Sequence, residues 1–432
     1  MCQTRGITMN EIDIYNLPKR YKKAIERFEE SLISQNNKKL IKEFLNDQSA
    51  TQVGVQRRIK LINCLRFIAL QMNIELDKIT EQNIKTYDHK LEDLYKSAHT
   101  RSDYRKILKQ FLRWSNGKNI TDVKFDFLYS RVKTKDKHTV KKAQIITEED
   151  ISVLLESCVN ARDKALLALA WDTGARVGEL GALRVGDITF EKHGIIVDFT
   201  KSKTAPRSPW LMMSTQYLMG WLRLHPYRDD PSAPLWPVMV VDDEYINYKK
   251  FSRRPLAYHG YYTIFKRLFI RAKMNKPFNP HMFRHSRATW AAQNDWNNQI
   301  ANKFFGWTQG SDMFDQYVTL VGEDVTNKMK SSYGIKNDID DARKKREAQT
   351  CVRCEQINPS DNKFCYKCGN TMSAQATQEL QNVKRKEKEF SQELFQKDLN
   401  KNENNGLNMK EIMLEAIKND PNLILKLAEI LK

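Results

Sequence analysis

Apolar residues recur every three or four positions through the first third of the chain, which is the spacing of amphipathic helices. The pattern is clearest in three segments, RYKKAIERFEESLI, QRRIKLINCLRFIALQM and RSDYRKILKQFLRW. Residues 15–130 show little of the alternation that is typical of strands. We therefore predict a helical N-terminal domain over that range.

The segment that follows, RVKTKDKHTVKKAQ at residues 131–144, is rich in lysine and poor in apolar residues, which predicts a basic interdomain linker. TEED, Thr147 to Asp150, resembles a capping box and indicates that a second domain begins there. Residues 145–335 combine two patterns. ARDKALLALAWDTG predicts a buried helix that ends at Gly174, and HGIIVDFTKSKTAPRSPWLMM predicts two strands joined by a polar turn. The expected fold class is mostly α with a small β-sheet, α+β.

Charge narrows the class of partner. The 432 residues include 72 Lys and Arg against 53 Asp and Glu, a formal net charge of +19. This balance favours a polyanion such as nucleic acid. A membrane is the weaker alternative, since no uncharged apolar run approaches the ~20 residues of a spanning helix. The start of the chain, MCQTRGITMNEID, lacks the apolar core of a signal peptide, so we expect a cytoplasmic protein.

Basic residues of the N-terminal helices are the candidate DNA contacts. They are Arg57, Arg58, Arg101, Arg105 and Lys109. The last three are spaced four apart and share a helix face, with apolar residues on other faces. Such a helix can pack on one side and touch phosphates on the other. A purely solvated charged face is the alternative interpretation.

Four of the seven cysteines form two Cys-x-x-Cys pairs. They are Cys351, Cys354, Cys365 and Cys368, and their spacing is typical of a zinc ribbon over residues 350–371. Four thiolates complete the coordination shell of zinc, so the metal is expected to be structural. Free thiols that share this spacing by chance are the alternative. Residues 372–432 form a charged helical tail in this interpretation, and its apolar end is expected to dock on a neighbouring subunit.

Two stretches carry residues suited to phosphate chemistry. In NPHMFRHSRATW, His281 and Arg284 are three residues apart and share a helix face. A guanidinium binds two phosphate oxygens, and an imidazole moves a proton near pH 7. In TGARVGELGALR, Arg176 follows a glycine helix stop and is expected in the first turn of the next helix, where Glu179 can brace it. Taken alone, this pair is more typical of an ordinary surface ion pair.

Two further candidates complete the set. The turn TKSKT offers Lys201 and Lys203, and FFGWTQGSDMFDQYVTL offers Tyr317 beside polar residues. The alternatives are a solubilising turn and a half-buried helical tyrosine. The order along the chain, Arg, Lys, His-x-x-Arg, Gly-Trp and Tyr, is more specific than any one motif.

In that order the boxes TGARVGEL, PHMFRHSRAT and FGWTQGSDMFDQYV resemble the signature motifs of the tyrosine recombinase/integrase family, most closely its archaeal integrases. The resemblance covers roughly residues 35–335. It implies a tyrosine-recombinase catalytic fold in residues 145–335 and a SAM-like helical DNA-binding fold in the N-terminal domain. It also implies a mobile-element enzyme for site-specific integration or excision.

The resemblance implies a role for each matching residue. Arg176 and Arg284 clamp the scissile phosphate, Tyr317 attacks it, Lys201 protonates the leaving 5′ oxygen and His281 assists proton transfer. Glu179 and His285 support these groups. No ATP or cofactor is required for catalysis. The implied partners are double-stranded att-like DNA sites, three further copies of the chain in a homotetramer and, optionally, accessory DNA-bending proteins, with the enzyme associated with the nucleoid.

The sequence departs from the family pattern in two places. Trp307 stands where a second histidine is usual, and its indole N–H donates a hydrogen bond but transfers no proton. Thr200 stands where glycine usually precedes the lysine, so Lys203 remains an alternative to Lys201. Two other functions share these features, a type IB topoisomerase-like enzyme and a non-catalytic DNA-binding regulator on the same fold.

Overall fold

The structure is a computed structural model that describes residues 12–133, 136, 140–200, 205–240, 250–320, 322–335, 348–360 and 362–403. The chain divides into two compact units, residues 1–337 and 338–432. Among the described residues, no helix has the length and apolar character needed to cross a membrane. Lys201 and Lys203 of the predicted turn, and the apolar end of the predicted helical tail, lie outside the described residues.

Five helices open the first unit. They are α1 (Leu17–Glu29), α2 (Gln35–Ala50), α3 (Val55–Met72), α4 (Glu81–Leu94) and α5 (Ala98–Gly117). The side chains of Ser34, Thr80 and Ser97 accept backbone N–H groups at the starts of α2, α4 and α5. Phe28 and Phe44 lie in the core that these helices share. The three helices predicted here are present, and the described part of residues 12–133 contains no strand.

The rest of the first unit is mixed. Its helices are α6 (Glu148–Glu156), α7 (Ala161–Thr173), α8 (Val177–Ala182), α9 (Thr215–Leu224), α10 (Tyr258–Arg271), α11 (His281–Gln293), α12 (Asn298–Phe305), α13 (Met313–Tyr317) and α14 (Gly322–Ser332). Its strands are β1 (Ile188–Phe190), β2 (Ile195–Val197), β3 (Trp210–Leu211), β4 (Pro237–Val240) and β5 (Lys250–Pro255). The predicted class, mostly helical with small sheets, is confirmed.

The small sheet has the order β1-β2-β3, and each pair is antiparallel. The two strands predicted from sequence are β2 and β3, which pair Ile195 with Leu211. A further bridge between Phe199 and Arg207 brackets the lysine turn. The pattern gave no signal for β1, nor for the separate β4–β5 hairpin. Both lie among short segments in which polar and apolar residues do not alternate for long.

Local signals set the helix ends that matter for the site. Thr147 and Asp150 form the predicted capping box of α6. Helix α7 ends at Gly174, which has a φ of +55°, and an added Cβ there would lie 2.8 Å from Phe305. Only glycine fits this left-handed turn. Helix α12 ends in the same way at Gly306, so two helix ends release their last carbonyls close together.

The second unit contains β6 (Gln349–Thr350), β7 (Ile357–Asn358) and α15 (Ala374–Glu403). β6 and β7 pair antiparallel, and Gln349 faces Asn358. The first Cys-x-x-Cys pair lies between β6 and β7, and the second pair follows β7. The charged segment predicted as helical forms α15.

Candidate active site

Arg176 and Glu179 form a closed unit at the start of α8. Arg176 is the residue just before the helix, not in its first turn as predicted, because its ψ of 150° is extended. Glu179 accepts the backbone N–H of Arg176 at 2.9 Å and the Nη1–H at 2.9 Å. The expectation that Glu179 braces Arg176 therefore holds. Removing the carboxylate would release both ends of Arg176.

Glu179 is the centre of a larger network. Its Oε2 lies 3.3 Å from Nη2 of Arg207 and 3.9 Å from Nη1 of Arg284. Glu179 is 4% exposed and Arg284 is 0% exposed, so this charge cluster is shielded from water. Three guanidinium groups thus surround one carboxylate. The excess of positive charge suits an anion.

Arg284 is held from several sides. Nη1 donates to the carbonyl of Gly174 at 3.1 Å, and Nη2 donates to the carbonyl of Phe305 at 2.7 Å. These carbonyls end α7 and α12, where the helix dipoles are negative. The guanidinium carbon also lies 4.6 Å from the ring centre of Trp307 and 5.5 Å from that of Tyr317. Arg284 therefore joins two helix ends to two of the predicted catalytic side chains.

Arg207 is a site residue that sequence reasoning missed. It is 5% exposed, and its Nη1 donates to the carbonyls of Thr173 and Phe304. These two residues immediately precede the two whose carbonyls bind Arg284. Its guanidinium carbon lies 4.4 Å from the ring centre of Phe199. Arg207 also pairs with Phe199 in an antiparallel bridge, so it links the end of this strand pair to Glu179. Its sequence neighbours, Pro206 and Ser208, suggest only a loop.

Trp307 and Tyr317 meet next to Arg284. Their ring centres are 5.2 Å apart. Trp307 is 3% exposed, and its indole Nε1–H is buried with no hydrogen-bond partner among the described residues. Such an orphaned donor is costly, so it indicates a missing acceptor. Tyr317 ends α13 and is only partly buried.

Helix α11 also fixes the backbone around Tyr317. His285 donates from Nδ1 to the Tyr317 carbonyl at 3.2 Å, and its ring centre lies 4.4 Å from that of Tyr317. Thr289, one turn further, accepts the N–H of Thr319 at 3.0 Å. One helix therefore supplies Arg284 and restrains the tyrosine. His285 thus lies against Tyr317, and its supporting role stays a prediction.

His281 starts α11 and is exposed, while Phe283 is buried in the core. Reduced hydration lowers the pKa of His281 first, and the charges of Arg176 and Arg284 lower it further. Burial also lowers the pKa of Arg284, to about 9, with Arg176 adding to the effect. An anion bound between these groups would oppose both shifts. The lowered pKa values of His281 and Arg284 therefore indicate an excess of positive charge at this site.

The pKa of Glu179 is also lowered, and for a carboxyl this shift favours the charged form. Burial works to raise the pKa of its carboxyl, but the charges of Arg207 and Arg284 outweigh burial and hold that pKa below its ordinary value. The carboxylate is therefore ionised at neutral pH and neutralises part of the arginine charge.

The predicted DNA contacts in the helical bundle lie apart from this cluster in the chain, and four of them bind neighbouring groups. Arg105 pairs with Asp88 and Glu92. Arg101 donates to the carbonyls of Tyr95 and Lys96. Arg57 donates to Gln110, and Arg58 to Ser49. Lys109 has no ion pair within the described part of the chain. Their contact with DNA stays a prediction.

The four cysteine sulfurs of the second unit lie within 4.8 Å of one another. Cys351 and Cys368 are 3.7 Å apart, and Cys354 and Cys365 are 3.6 Å apart. Tetrahedral zinc holds thiolates at ~2.3 Å, which places them about 3.8 Å from each other. Burial works to raise the pKa of Cys365, but the backbone N–H groups of Cys368 and Lys367 lower it to about 6. Size and chemistry both fit a divalent metal ion.

Residues 144–323 match the model of the Phage integrase family. Transposase A from transposon Tn554 of Staphylococcus aureus is 26% identical over 204 residues, which are 44% of this chain and 52% of that protein. The chain thus spans about half the length of this relative. Tyrosine recombinase XerD of Oceanobacillus iheyensis is 26% identical over 53% of this chain and 74% of its own length.

Two solved structures are also similar. XerH site-specific recombinase bound to a palindromic difH substrate covers 76% of this chain and 98% of its own, with 16% identity and a TM-score of 0.49. A lambda integrase dimer bound to a COC′ core site covers 65% of this chain and 76% of its own, with 14% identity and a TM-score of 0.49.

Proposed function

We propose that the chain is a site-specific DNA recombinase that cleaves and rejoins DNA through a 3′-phosphotyrosyl intermediate. One observation carries the proposal. The buried Arg284 guanidinium lies between Glu179 and the rings of Trp307 and Tyr317, and the Trp307 N–H beside it lacks an acceptor. A phosphate placed there would receive donors and meet a nucleophile. The family match over residues 144–323 supports the same chemistry.

In the proposed reaction, the Tyr317 oxygen attacks the scissile phosphorus. An O–P bond forms to the tyrosine, and the bond from phosphorus to the 5′ oxygen breaks. Arg176 and Arg284 stabilise the negative charge on the non-bridging oxygens, and the Trp307 N–H donates to one of them. Glu179 fixes the arginines without neutralising all of their charge.

Proton transfers complete the step. The Tyr317 proton passes to a base, for which neutral His281 is the candidate, since its lowered pKa leaves it deprotonated at neutral pH. Lys201, which lies outside the described residues, gives its proton to the leaving 5′ oxygen. Attack of a 5′ hydroxyl from a second strand on the phosphotyrosine reverses each bond change. No ATP or metal enters this scheme, because the phosphotyrosyl link conserves the bond energy.

A covalent trap tests this proposal. The substrate is a nicked suicide duplex built from the repeats that flank this gene, on which cleavage releases a short fragment and cannot reverse. We expect a protein–DNA adduct that resists boiling in detergent, and no adduct from Tyr317→Phe. Tyr333→Phe is the matched control, because Tyr333 is 77% exposed and outside the cluster.

Three outcomes decide the matter. No adduct from the wild type, or an adduct from Tyr317→Phe, would contradict the mechanism. Relaxation of any supercoiled plasmid by a monomer, without a preferred site, would favour the topoisomerase alternative. DNA binding that is unaffected by Tyr317→Phe, with no cleavage by the wild type, would favour the non-catalytic regulator.

The proposed partners follow from the reaction. Exchange of strands needs two double-stranded att-like sites and four copies of the chain, with accessory DNA-bending proteins optional and the enzyme on the nucleoid. The net charge of +19 predicts salt-sensitive binding. The domain boundaries at residues 15–130, 131–144, 145–335, 350–371 and 372–432 belong to this proposal. So does the likeness to archaeal integrases, although the relatives named above are bacterial.

We also propose that Cys351, Cys354, Cys365 and Cys368 bind one structural zinc ion in a zinc ribbon. The sulfur separations and the thiolate-stabilising N–H groups support it. Metal analysis of the purified protein should give about one zinc per chain. Cys365→Ser should lose most of it, whereas Cys64→Ser, which changes a cysteine of helix α3, should keep it. Full zinc content in Cys365→Ser would contradict the assignment.

A further inference from the structure

The segment before the first helix, residues 12–16, packs away from the helices it leads into. Ile14 is 5% exposed and belongs to the core that contains α7, α8 and α10, not to the core of α1–α5. Its carbonyl accepts the N–H of Tyr258 at 2.9 Å. The ring of Tyr15 stacks on that of Tyr258, with centres 5.2 Å apart. The segment is therefore anchored to the half of the unit that carries the candidate site.

Its docking surface is one face of α8. Gly178 and Gly181 are three residues apart, so they share a face. A Cβ on Gly178 would lie 2.9 Å from the Tyr15 hydroxyl, and a Cβ on Gly181 would lie 2.7 Å from Cδ1 of Ile14. Glycine weakens a helix relative to alanine, so these two residues need another reason to be present. The close approach of Ile14 and Tyr15 supplies that reason.

Helix α8 depends on such contacts. It has only six residues, and so short a helix has little stability of its own. Its first turn sets the position of Arg176 and Glu179. Tyr15 lies close enough to Glu179 for the carboxylate to add to the rise in the tyrosine pKa, which burial dominates. Movement of the segment would therefore move Arg176 and Glu179.

The other end of the segment is equally fixed. Asp13 accepts the N–H of Tyr15 at 2.9 Å and the N–H of Leu17 at 2.6 Å. This turn leads directly into α1, which packs on α3 in the helical bundle. One short segment thus joins helices α1–α5 to α8.

We propose that Ile14 and Tyr15 are positioning residues that hold α8, and with it Arg176 and Glu179, in the cleavage-competent place. The inference rests on the proposed recombinase function. It predicts that helices α1–α5 and the Arg176–Glu179 pair are coupled through residues 12–16. Neither residue contacts the reacting atoms in this proposal.

A double-mutant cycle tests the coupling in the full chain. Gly181→Ala should slow single-turnover cleavage of the suicide duplex at saturating protein by about tenfold, because the methyl group displaces Ile14. Ile14→Ala should slow it several-fold, by about three- to tenfold. The double variant should cleave faster than Gly181→Ala alone, since the truncated side chain makes room. DNA affinity should stay within about twofold in all three.

Matched controls isolate the contact. Gly220→Ala adds a methyl group to α9 where nothing lies within 4 Å, and should leave cleavage unchanged. Ile33→Ala truncates an isoleucine in the other core, 7% exposed, and should lower stability without slowing cleavage at saturating protein. Wild-type cleavage by Ile14→Ala, or losses that simply add in the double variant, would overturn the proposal.

A second measurement does not need cleavage. Hydrogen exchange of residues 177–182 in the DNA-free protein should speed up by about tenfold in Ile14→Ala and remain unchanged in Ile33→Ala. If the wild type forms no adduct, the recombinase function fails while this measurement still decides the contact. Unchanged exchange of α8 in Ile14→Ala would overturn the positioning role, whether or not the enzyme cleaves DNA.

Discussion

Arginines in two regions of this chain differ in the ratio of arginine to carboxylate charges around them. At the candidate site, Arg176, Arg207 and Arg284 share one carboxylate, Glu179. In the helical bundle, Arg105 alone is shared by two carboxylates, Asp88 and Glu92. Burial works to lower the pKa of Arg105, but its acidic partners raise it overall, whereas the pKa of Arg284 is lowered.

The contrast separates arginines whose charge is neutralised within the fold from arginines that keep an excess of positive charge. An overcompensated arginine has little to gain from a phosphate, because its donors are already used by carboxylates. An undercompensated cluster gains a partner when a phosphate binds. Net charge along the sequence does not distinguish the two, since both segments are basic or mixed. The distinction needs the partners brought by folding.

The largest expected effect is on cleavage by Arg284→Ala. This change removes a buried donor to the proposed phosphate and breaks the link to Trp307 and Tyr317, so adduct formation should fall by about 10³-fold. Arg105→Ala should leave the single-turnover rate at saturating protein unchanged. Rates of adduct formation on the suicide duplex measure both. Equal losses of cleavage in Arg284→Ala and Arg105→Ala would contradict the distinction between the two regions.

The second prediction concerns stability. Glu179→Gln leaves the buried Arg207 and Arg284 without their anion, so the free energy of unfolding should fall by about 3–5 kcal/mol. Asp88→Asn leaves Arg105 with Glu92 and should cost at most about 1 kcal/mol. Urea unfolding followed by circular dichroism measures both. A loss for Asp88→Asn as large as that for Glu179→Gln would show that the charge count does not govern stability here.

Much of the site was predictable because its motifs are local. His281 and Arg284 lie one turn apart on one helix, and Glu179 binds Arg176 across one turn, so helical periodicity alone brings each pair together. The cysteine pairs are similar. Family resemblance, not spacing, related these pairs to each other and to Tyr317.

Arg207 was not predictable, because its contacts are not local in the sequence. Its partners, Glu179, Thr173 and Phe304, come from three separate elements, and its own segment reads as a loop. The anchoring of Ile14 on α8 was also missed, since an isoleucine before a helix gives no indication of which core it enters. The strands β4 and β5 pair across residues 241–249, so no tight-turn signal marks them.

The third prediction uses the pKa of His281. That pKa lies below the ordinary value of about 6.5, so the ring is neutral at pH 7 and protonated only at lower pH. If neutral His281 accepts the tyrosine proton, the second-order cleavage rate should be flat near pH 7 and fall about tenfold per pH unit below the lowered pKa. Cleavage rates measured across a range of pH for the wild type and the variants below test this expectation.

His281→Gln should slow cleavage and abolish that acidic limb, because glutamine does not titrate. His259→Gln is the control, since His259 is exposed and outside the cluster. An acidic limb that persists unchanged in His281→Gln would assign it to another group.

The smallest expected effect separates two residues of one helix, Arg105 and Lys109, which the sequence predicts equally as DNA contacts. Arg105→Ala should change DNA affinity by less than about threefold, because its donors already bind Asp88 and Glu92. Lys109 lacks such a partner among the described residues, so Lys109→Ala should reduce the slope of log affinity against log salt by about 1. Titrations at several salt concentrations measure both slopes. A larger slope change for Arg105→Ala than for Lys109→Ala would mean that DNA displaces the bundle's own carboxylates, and charge balance in the free protein would then not identify its phosphate contacts.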